Sequence, residues 1–302
     1  MYSSVPLLAY GIQSFEIGLF WVILLTIITL YSGFFAALIW NDITDADIDS
    51  KVHPDRPIPS NMISKEKFFK IALVFSALVV LFASLISLWC LLVVCCAAIF
   101  VAIHDKYLKR KVKFPAYSEI FTPVQWVVVV IFGYVAIWSY LPQTSIVLID
   151  LPLLGILKAT EYEFFNMIIL VLFTYFADDA HDLPEGICDA EGDRKIGVRT
   201  YTTSFGEKNA ARISFLMFLL SGFFGFVLFL RTDLTYIFLI LFTINWLYIM
   251  KYSFALLRKT NQELRQFSKI VGRKGFTYLL MSFNFMFIDL IIQLIYHNTG
   301  FF

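Results

Sequence analysis

Charged residues are scarce in this chain. Asp, Glu, Lys and Arg together make up 16% of its 302 residues, whereas hydrophobic residues make up 59% and the mean hydropathy is +0.76. A soluble domain has about 25% charged and about 45–50% apolar residues. The composition therefore excludes an ordinary soluble globular protein.

Cysteine is rare as well. The four cysteines, Cys90, Cys95, Cys96 and Cys188, show no zinc-ligand spacing, and three of them fall in one apolar segment. Neither a disulfide framework nor a structural zinc site is expected. The first 13 residues contain no basic residue, so we do not expect a cleavable signal peptide.

The apolar residues are arranged in long blocks. Each block approaches the roughly 20 residues that an α-helix needs to cross a bilayer. The eight predicted spans are approximately 15–40, 66–88, 89–107, 117–140, 163–178, 210–231, 233–257 and 275–297. We predict a single domain, residues 1–302, that is an all-α polytopic bundle of transmembrane helices. Residues 1–14 are apolar but too few for a full span, so the expected number of spans is eight or nine.

The basic residues are distributed unequally between the two sides of this bundle. Of the 24 Lys and Arg residues, all but Lys158 and Arg231 lie in or beside the loops that follow spans one, three, five and seven. Loops rich in Lys and Arg face the cytoplasm. We therefore expect an integral protein of the cell (inner) membrane whose active site opens on the cytoplasmic face.

An acidic stretch follows the first span on this face. If the helix continues beyond Trp40, then Asn41, Asp45 and Asp49 have the spacing i, i+4, i+8 and share one side of it. Such oxygen ligands suit Mg²⁺. Acidic groups oppose the dipole at a helix C-terminus, and this unfavourable placement favours a functional role over a simple stop signal. A proline-rich loop would then hold Arg56 nearby, either as a phosphate ligand or as an ordinary surface charge.

A second acidic stretch follows the fifth span, on the same face. Asp189 and Asp193 are four residues apart and share one side if the segment is helical. Pro184 and Gly186 predict a break before it, so we do not expect one continuous acidic helix.

Basic residues follow this stretch directly, namely Arg194, Lys195 and Arg199. Acids followed by bases suit a site that binds both a metal ion and the anion bridged by the metal. The alternative is a charged loop that balances itself. Glu119, inside the fourth predicted span, is a candidate polar group of a cavity.

Together, the two motifs resemble those of the UbiA superfamily of intramembrane prenyltransferases. The matching segments are Asn41-Asp42-x-x-Asp45-x-x-x-Asp49, Asp55-Arg56-Pro57-Ile58-Pro59-Ser60 and Asp189-x-Glu191-Gly192-Asp193-Arg194-x-x-Gly197-x-x-Thr200. The resemblance covers nearly the whole chain. It implies a helical bundle around a central cavity open to lipid, and transfer of a prenyl group from a prenyl diphosphate to a lipophilic acceptor.

Carried over residue by residue, the resemblance implies a site with two Mg²⁺ ions. One ion would be held by Asn41, Asp45 and Asp49, and the other by Asp189 and Asp193. The candidate substrate-binding residues are Asn41, Arg56, Lys109, Arg194 and Arg199. The candidate catalytic residues are Asp45, Asp189, Asp193 and His104.

Two positions depart from the usual pattern of the superfamily. His104 stands where many members carry a tyrosine, and Gly186 stands where many carry an aspartate. His104 is therefore either a proton acceptor or a packed histidine. These departures leave the deprotonating group and the acceptor open.

Within the superfamily we expect an aromatic acceptor, as in quinone biosynthesis, with a glycerol-phosphate-type lipid as the alternative. Outside the enzymes, the alternative is a membrane transporter. A transporter would be expected to place its charges deep within the spans rather than at one membrane face. We expect neither a nucleic-acid partner nor a protein partner.

Overall fold

The computed structural model describes residues 1–13, 16–52, 54–108, 111–140 and 147–299. Its helices are α1 Ser4–Tyr10, α2 Ile17–Val52, α3 Lys65–Ile86, α4 Leu88–Ile103, α5 Tyr117–Phe121, α6 Val124–Tyr140, α7 Glu161–Ile196, α8 Tyr201–Phe205, α9 Glu207–Arg231, α10 Tyr236–Leu257 and α11 Asn261–Thr299. α4 continues into a π-helical turn, His104–Leu108. An antiparallel hairpin of β1 Val147–Leu151 and β2 Gly155–Lys158 precedes α7.

Within the described ranges, eight helical segments are long and apolar enough to cross a membrane. They coincide with the eight predicted spans, and the all-α polytopic bundle is confirmed. α2, α7 and α11 extend well beyond the predicted ends. The hairpin was not predicted.

The long helices form two groups of four. In the first group α2 packs against α3, α3 against α4, and α4 against α6; in the second, α7 packs against α9 and α11, and both of these pack against α10. α6 packs against α7 and joins the groups. The apolar start of the chain forms the buried helix α1, which packs against α6 and α11. Each group therefore begins with a helix that carries an acidic stretch.

α2 continues through the first acidic stretch to Val52. At the start of that stretch, Trp40 donates from Nε1 to Ser76 Oγ on α3 at 3.1 Å and packs edge-on against Phe69. α3 therefore contacts α2 at the helical turn where the acidic stretch begins. α3 itself is capped by Ser64, whose Oγ accepts a hydrogen bond from the backbone N–H of Lys67.

The predicted break at Pro184 and Gly186 is wrong, because α7 is one helix of 36 residues. Pro184 has no N–H, so the carbonyl of Ala180 loses its usual partner in the helix. The hydroxyl of Ser214 on α9 donates to that carbonyl at 2.7 Å. A neighbouring helix thus satisfies the group that the proline leaves free, and tertiary packing offsets a cost of about 3 kcal/mol.

Candidate functional site

The first acidic cluster lies on the last turns of α2. Asp42, Asp45 and Asp49 are close enough to interact electrostatically. Arg56 Nη1 lies 2.8 Å from Asp49 Oδ2 and 3.8 Å from Asp42 Oδ1. Asp49 is only 4% exposed, so its charge is compensated by a guanidinium group rather than by water. Arg56 lies beside the acidic helix end, and its role in binding phosphate stays a prediction.

The loop that carries Arg56 is folded back on itself. Ser60 donates to the carbonyl of Arg56 twice, from its backbone N–H at 2.9 Å and from its hydroxyl at 2.6 Å. The backbone N–H of Ile63 donates to the carbonyl of Pro57 at 3.2 Å. These bonds fix the backbone from which the guanidinium reaches α2.

The second acidic cluster lies along one side of α7. Asp178, Asp182, Glu185, Asp189 and Asp193 recur at intervals of three or four residues and therefore share a helix face. Asp178 is buried, whereas Glu185 and Asp189 are exposed. The acidic face thus runs from the interior of the bundle to its polar end.

His181 links the two inner carboxyl groups of this face. Its Nε2 lies 3.0 Å from Asp178 Oδ1, and its Nδ1 lies 3.3 Å from Asp182 Oδ1. The ring of Phe276 on α11 packs edge-on against the imidazole at 5.2 Å. Nε2 has hydrogen-bond geometry to Asp178, whereas Nδ1 lies near Asp182 without that geometry.

Asp179 is the least compensated acid of the cluster. It is fully buried, and neither of its carboxyl oxygens has hydrogen-bond geometry to a partner among the described residues. The hydroxyl of Tyr201 on α8 faces it. Burial, and next the charge of Asp179, raise the pKa of Tyr201, so the phenol keeps its proton at neutral pH.

Glu119, from α5, also belongs to this cluster. It is 6% exposed, and its Oε2 accepts a hydrogen bond from the backbone N–H of Tyr201. Asp182 and Asp193 are near enough to repel its charge, and Asp179 feels the charge of Glu119 in turn. Glu119 thus brings a carboxyl group from α5 against the acidic side of α7 near Gly186.

The residues of both clusters fit a divalent cation. Carboxylate and amide oxygens are the ligands that Mg²⁺ prefers. The buried oxygens of Asp179 are short of partners among the described groups. His181, Asp182 and Glu185 each place one possible ligand atom within 4.8 Å of the others. A cation would supply the compensation that the described side chains do not.

The predicted ligands occupy corresponding places in the two groups of helices. Asn41, Asp45 and Asp49 lie at the C-terminal end of α2, and Asp189 and Asp193 lie at the C-terminal end of α7. Three spanning segments separate the two helices in sequence, so both ends face the same side of the bundle. Their assignment as metal ligands and catalytic groups stays a prediction.

The predicted basic residues fall into three situations. Lys109 lies outside the described residues. Arg194 is exposed on the last turns of α7, and Arg199 is exposed in the segment between α7 and α8. The carbonyl of Arg199 accepts a hydrogen bond from the backbone N–H of Ser118 at 3.1 Å, which ties this segment to α5.

His104 is the first residue of the π-helical turn after α4. It is buried, its Nδ1 lies 3.0 Å from Asp105 Oδ1, and its ring stacks between Phe100 and Tyr117. Its Nε2 is buried and has no hydrogen-bond partner among the described groups. π-Helical turns are frequent at functional sites. Both interpretations, proton acceptor and packed histidine, stay open.

A line of aromatic rings connects the two acid-bearing helices. Phe34 on α2 lies 6.4 Å from Trp126 on α6, Trp126 lies 6.3 Å from Phe276 on α11, and Phe276 contacts His181 on α7. These rings form an apolar path from α2 to His181 in the α7 cluster. Such surface excludes water from a reaction that takes place beside it.

Comparison with known sequences identifies the family. The sequence model of the UbiA prenyltransferase family matches residues 4–280, and the chain belongs to that family. The digeranylgeranylglyceryl phosphate synthase of Saccharolobus solfataricus is 26% identical to it over 180 residues, which are 60% of this chain and 55% of that relative. The matched segment thus spans little more than half of the relative.

Solved structures share the fold. The apo structure of a UbiA homolog from Aeropyrum pernix K1 has a TM-score of 0.68 at 16% identity and covers 95% of this chain and 97% of that chain. The structure of a UbiA homolog from Archaeoglobus fulgidus bound to GPP and Mg²⁺ has a TM-score of 0.55 at 15% identity and covers 94% of each chain. At these identities the similarity concerns the fold, and it agrees with the predicted membrane bundle.

Proposed function

We propose that the protein transfers a prenyl group from a prenyl diphosphate to a glycerol-phosphate-type lipid, in a reaction that requires Mg²⁺. Membership of the UbiA prenyltransferase family supports the reaction class. The structural observation that carries the proposal is the acidic face of α7, which runs from the buried Asp178 to Asp193 at the end of the helix, with Asp179 buried beside it. An acidic site of this kind can accept an anionic diphosphate only together with cations.

The donor follows from the chemistry of the two clusters. The homolog from Archaeoglobus fulgidus is bound to GPP and Mg²⁺, which supports a prenyl diphosphate and magnesium as ligands here. Asn41, Asp45 and Asp49 would hold the ion on α2, and Asp189 and Asp193 the ion on α7. When bound, Mg²⁺ stabilises the negative charge that develops on the departing diphosphate.

Arg56 can hold the α2 cluster and contact the donor at the same time. Its contacts with Asp42 and Asp49 both use Nη1, and a guanidinium group has five N–H donors. The remaining donors can reach a phosphate oxygen while Asp49 stays in place. Arg56 would thus orient a metal ligand and bind the leaving group.

The bond changes balance without a redox partner. The allylic carbon–oxygen bond of the donor breaks, and its electron pair leaves with the diphosphate. An oxygen of the acceptor bonds to the allylic carbon and releases a proton, for which His104 stays the candidate acceptor. The rings of Phe34, Trp126 and Phe276 keep water from competing for the allylic carbon, and aromatic faces attract positive charge.

The acceptor is the finer part of the proposal. The named activity of the Saccharolobus solfataricus relative supports a glycerol-phosphate-type lipid. Lys106 and Lys111 lie over the ring of Tyr107, at 5.2 and 5.5 Å, and the π-helical turn that contains Tyr107 packs against α2. These ammonium groups suit an acceptor that carries its own phosphate. An aromatic acceptor stays a prediction and forms the competing arm of the test.

The proposal is tested with protein reconstituted in nanodiscs. Prenyl diphosphates of several lengths are offered with a prenylglycerol phosphate or with 4-hydroxybenzoate, and products are identified by mass spectrometry. We expect the prenylated glycerol phosphate, and no turnover in EDTA until Mg²⁺ is restored. Prenylated hydroxybenzoate as the main product would contradict the acceptor, and full turnover in EDTA would contradict the metal. Ion uptake into liposomes without any product would favour a transporter.

A further inference from the structure

His181, Asp182 and Glu185 form a compact group of possible metal ligands on α7. Each side chain offers one ligand atom, and these atoms all lie within 4.8 Å of one another. His181 is 6% exposed, Asp182 is half-buried and Glu185 is exposed. The group therefore reaches from the packed interior of the bundle to a surface that an ion can approach.

The imidazole of His181 has one nitrogen with a hydrogen-bond partner and one without. Nε2 lies 3.0 Å from Oδ1 of the buried Asp178, in hydrogen-bond geometry. Nδ1 is buried and has no hydrogen-bond partner among the described residues, although Asp182 Oδ1 lies only 3.3 Å from it. A neutral imidazole that donates from Nε2 presents a lone pair at Nδ1, and this lone pair faces a carboxylate oxygen. Two buried acceptors in such contact are unfavourable unless a cation lies between them.

The distance between Nδ1 and Asp182 Oδ1 fits two ligands of one metal ion. Atoms bound to an ion at about 2.1 Å lie roughly 3.0–3.4 Å apart when the bond angle is between 90° and the tetrahedral value. Glu185 is exposed and needs only a small movement to complete the group. Histidines that bind metals almost always donate their other N–H to a carboxylate or a carbonyl group, and Asp178 is in that position here.

Two glycines of α11 lie against the stems of these side chains. A β-carbon added at Gly272 would lie 2.5 Å from Cγ of Glu185, and one added at Gly275 would lie 2.5 Å from Cβ of His181. Phe276 packs edge-on against the imidazole at 5.2 Å. The close approach of α11 therefore limits the conformations of His181 and Glu185, which keeps their ligand atoms near each other.

This group is separate from the ligands proposed for the magnesium ions. Asp193 lies about 18 Å from His181 along the helix axis, so one ion cannot contact both. Asp189, one turn beyond Glu185, does not belong to the group within 4.8 Å. Mg²⁺ prefers oxygen ligands only, whereas imidazole suits Zn²⁺ and other transition metals. The ligand set therefore favours a different metal.

We propose that His181, through Nδ1, binds a transition-metal dication such as Zn²⁺ together with the carboxyl groups of Asp182 and Glu185. Asp178 orients the imidazole through the hydrogen bond at Nε2. Three protein ligands leave the fourth position of a tetrahedral Zn²⁺ for water or for an anion. This site goes beyond the proposed prenyl transfer and does not depend on it.

Titration calorimetry with Zn²⁺ tests the site in purified protein in detergent. Excess Mg²⁺ is present throughout, so that it competes for the oxygen-only sites. Glu185→Gln and Asp182→Asn should each lower the affinity for Zn²⁺ about tenfold or more, because each removes a charged ligand. Glu185 is exposed, so its substitution leaves the buried pair of His181 and Asp178 intact. Glu161→Gln, at an exposed glutamate in the first turn of the same helix, is the matched control and should not change the affinity.

X-ray absorption at the zinc edge identifies the ligands. We expect the multiple-scattering features of one imidazole, with nitrogen and oxygen ligands at about 2.0–2.2 Å. Only four histidines are present in the chain, which limits the possible sources of this signal. Asp193→Asn alters a proposed magnesium ligand and should retain both the zinc affinity and the imidazole signal.

Three results would overturn the assignment. The first is an unaltered protein that binds no Zn²⁺ in excess Mg²⁺, and the second is a Glu185→Gln or Asp182→Asn protein that binds Zn²⁺ as tightly as the unaltered one. The third is a zinc spectrum without an imidazole, or one whose imidazole signal disappears in Asp193→Asn. Since no prenyl substrate is present, these measurements are independent of the proposed reaction, whose own failure would appear as turnover in EDTA or as the absence of a prenylated product.

Discussion

At the end of α2, the carboxyl group of Asp49 faces a guanidinium group at 2.8 Å. Along α7, the buried carboxyl group of Asp179 faces the hydroxyl of Tyr201 and the carboxyl groups of Glu119, Asp182 and Asp178. Both helices begin a group of four and both end in acids, but their charges are compensated differently. The α2 cluster contains the guanidinium group of Arg56, whereas the α7 cluster contains the imidazole of His181, which lies between Asp178 and Asp182.

This difference predicts which of the two clusters binds a divalent cation first. A carboxylate that is already paired offers a new cation less than one that is buried and unpaired. We therefore expect the α7 cluster to bind a divalent cation in the absence of substrate. The α2 cluster should become a strong site only when the diphosphate arrives, because the oxygens of the diphosphate then supply further ligands to the cation and share the guanidinium group of Arg56.

The largest expected effect tests this order directly. Asp193→Asn and Asp45→Asn should each lower prenyl transfer by roughly a thousandfold, because each removes a carboxylate from a site that stabilises the leaving diphosphate. Turnover with saturating Mg²⁺ measures this loss. With Mn²⁺ alone, only Asp193→Asn should weaken binding, whereas with inorganic diphosphate present both variants should. Equal Mn²⁺ affinities of the two variants in the absence of diphosphate would contradict the proposed order.

The second effect concerns the stability of the α7 cluster. His181→Ala leaves Asp178 buried without its partner, and breaking a buried pair costs about 3–5 kcal/mol of the free energy of unfolding. Thermal unfolding in detergent checks this loss. His297→Ala, at an exposed histidine on α11, is the control and should be nearly neutral. If both variants unfold at the same temperature, His181 does not compensate the acidic face.

The third and smallest effect concerns Arg56. Arg56→Ala should lower kcat/KM by roughly tenfold to a hundredfold, since a hydrogen bond to a charged group contributes about 1.5–3 kcal/mol. The loss should fall mainly on the KM for the donor, as determined by initial rates at several donor concentrations. Arg258→Ala, at an exposed arginine after α10, should leave both parameters unchanged. If the kinetic parameters of Arg56→Ala are unaltered, Arg56 does not bind the donor and serves only to hold the loop.

Much of the fold could be predicted from the sequence because membrane spans depend on local composition. The eight apolar blocks and the one-sided distribution of basic residues required no long-range information. The shared helix face of Asn41, Asp45 and Asp49 depended on continuation of the helix beyond Trp40, and α2 does continue to Val52. The assignment to the UbiA prenyltransferase family, which rested on the order of the two motifs, is confirmed.

The errors have a common physical origin, which is contact between distant segments. The break predicted at Pro184 is absent because Ser214, on another helix, donates to the carbonyl of Ala180. The spacing of Asp178 and Asp182 signals the inner part of the acidic face, but only on a continuous helix. The contact of Glu119 with Gly186 joins residues far apart in the sequence, and no local pattern indicates it. The roles of the predicted ligands stay predictions.

The hydrogen bond between Ser214 and the carbonyl of Ala180 affects the direction in which the carboxyl groups of α7 point. A helix with only internal hydrogen bonds can rotate about its axis by sliding against its neighbours, but α7 shares one of its backbone groups with α9. That hydrogen bond limits the rotation of α7 about its own axis. It therefore limits the directions in which the carboxyl groups from Asp182 to Asp193 can point. This hydrogen bond from α9 involves no proposed metal ligand and no proposed substrate. It nevertheless helps to orient the proposed metal-binding side chains of α7.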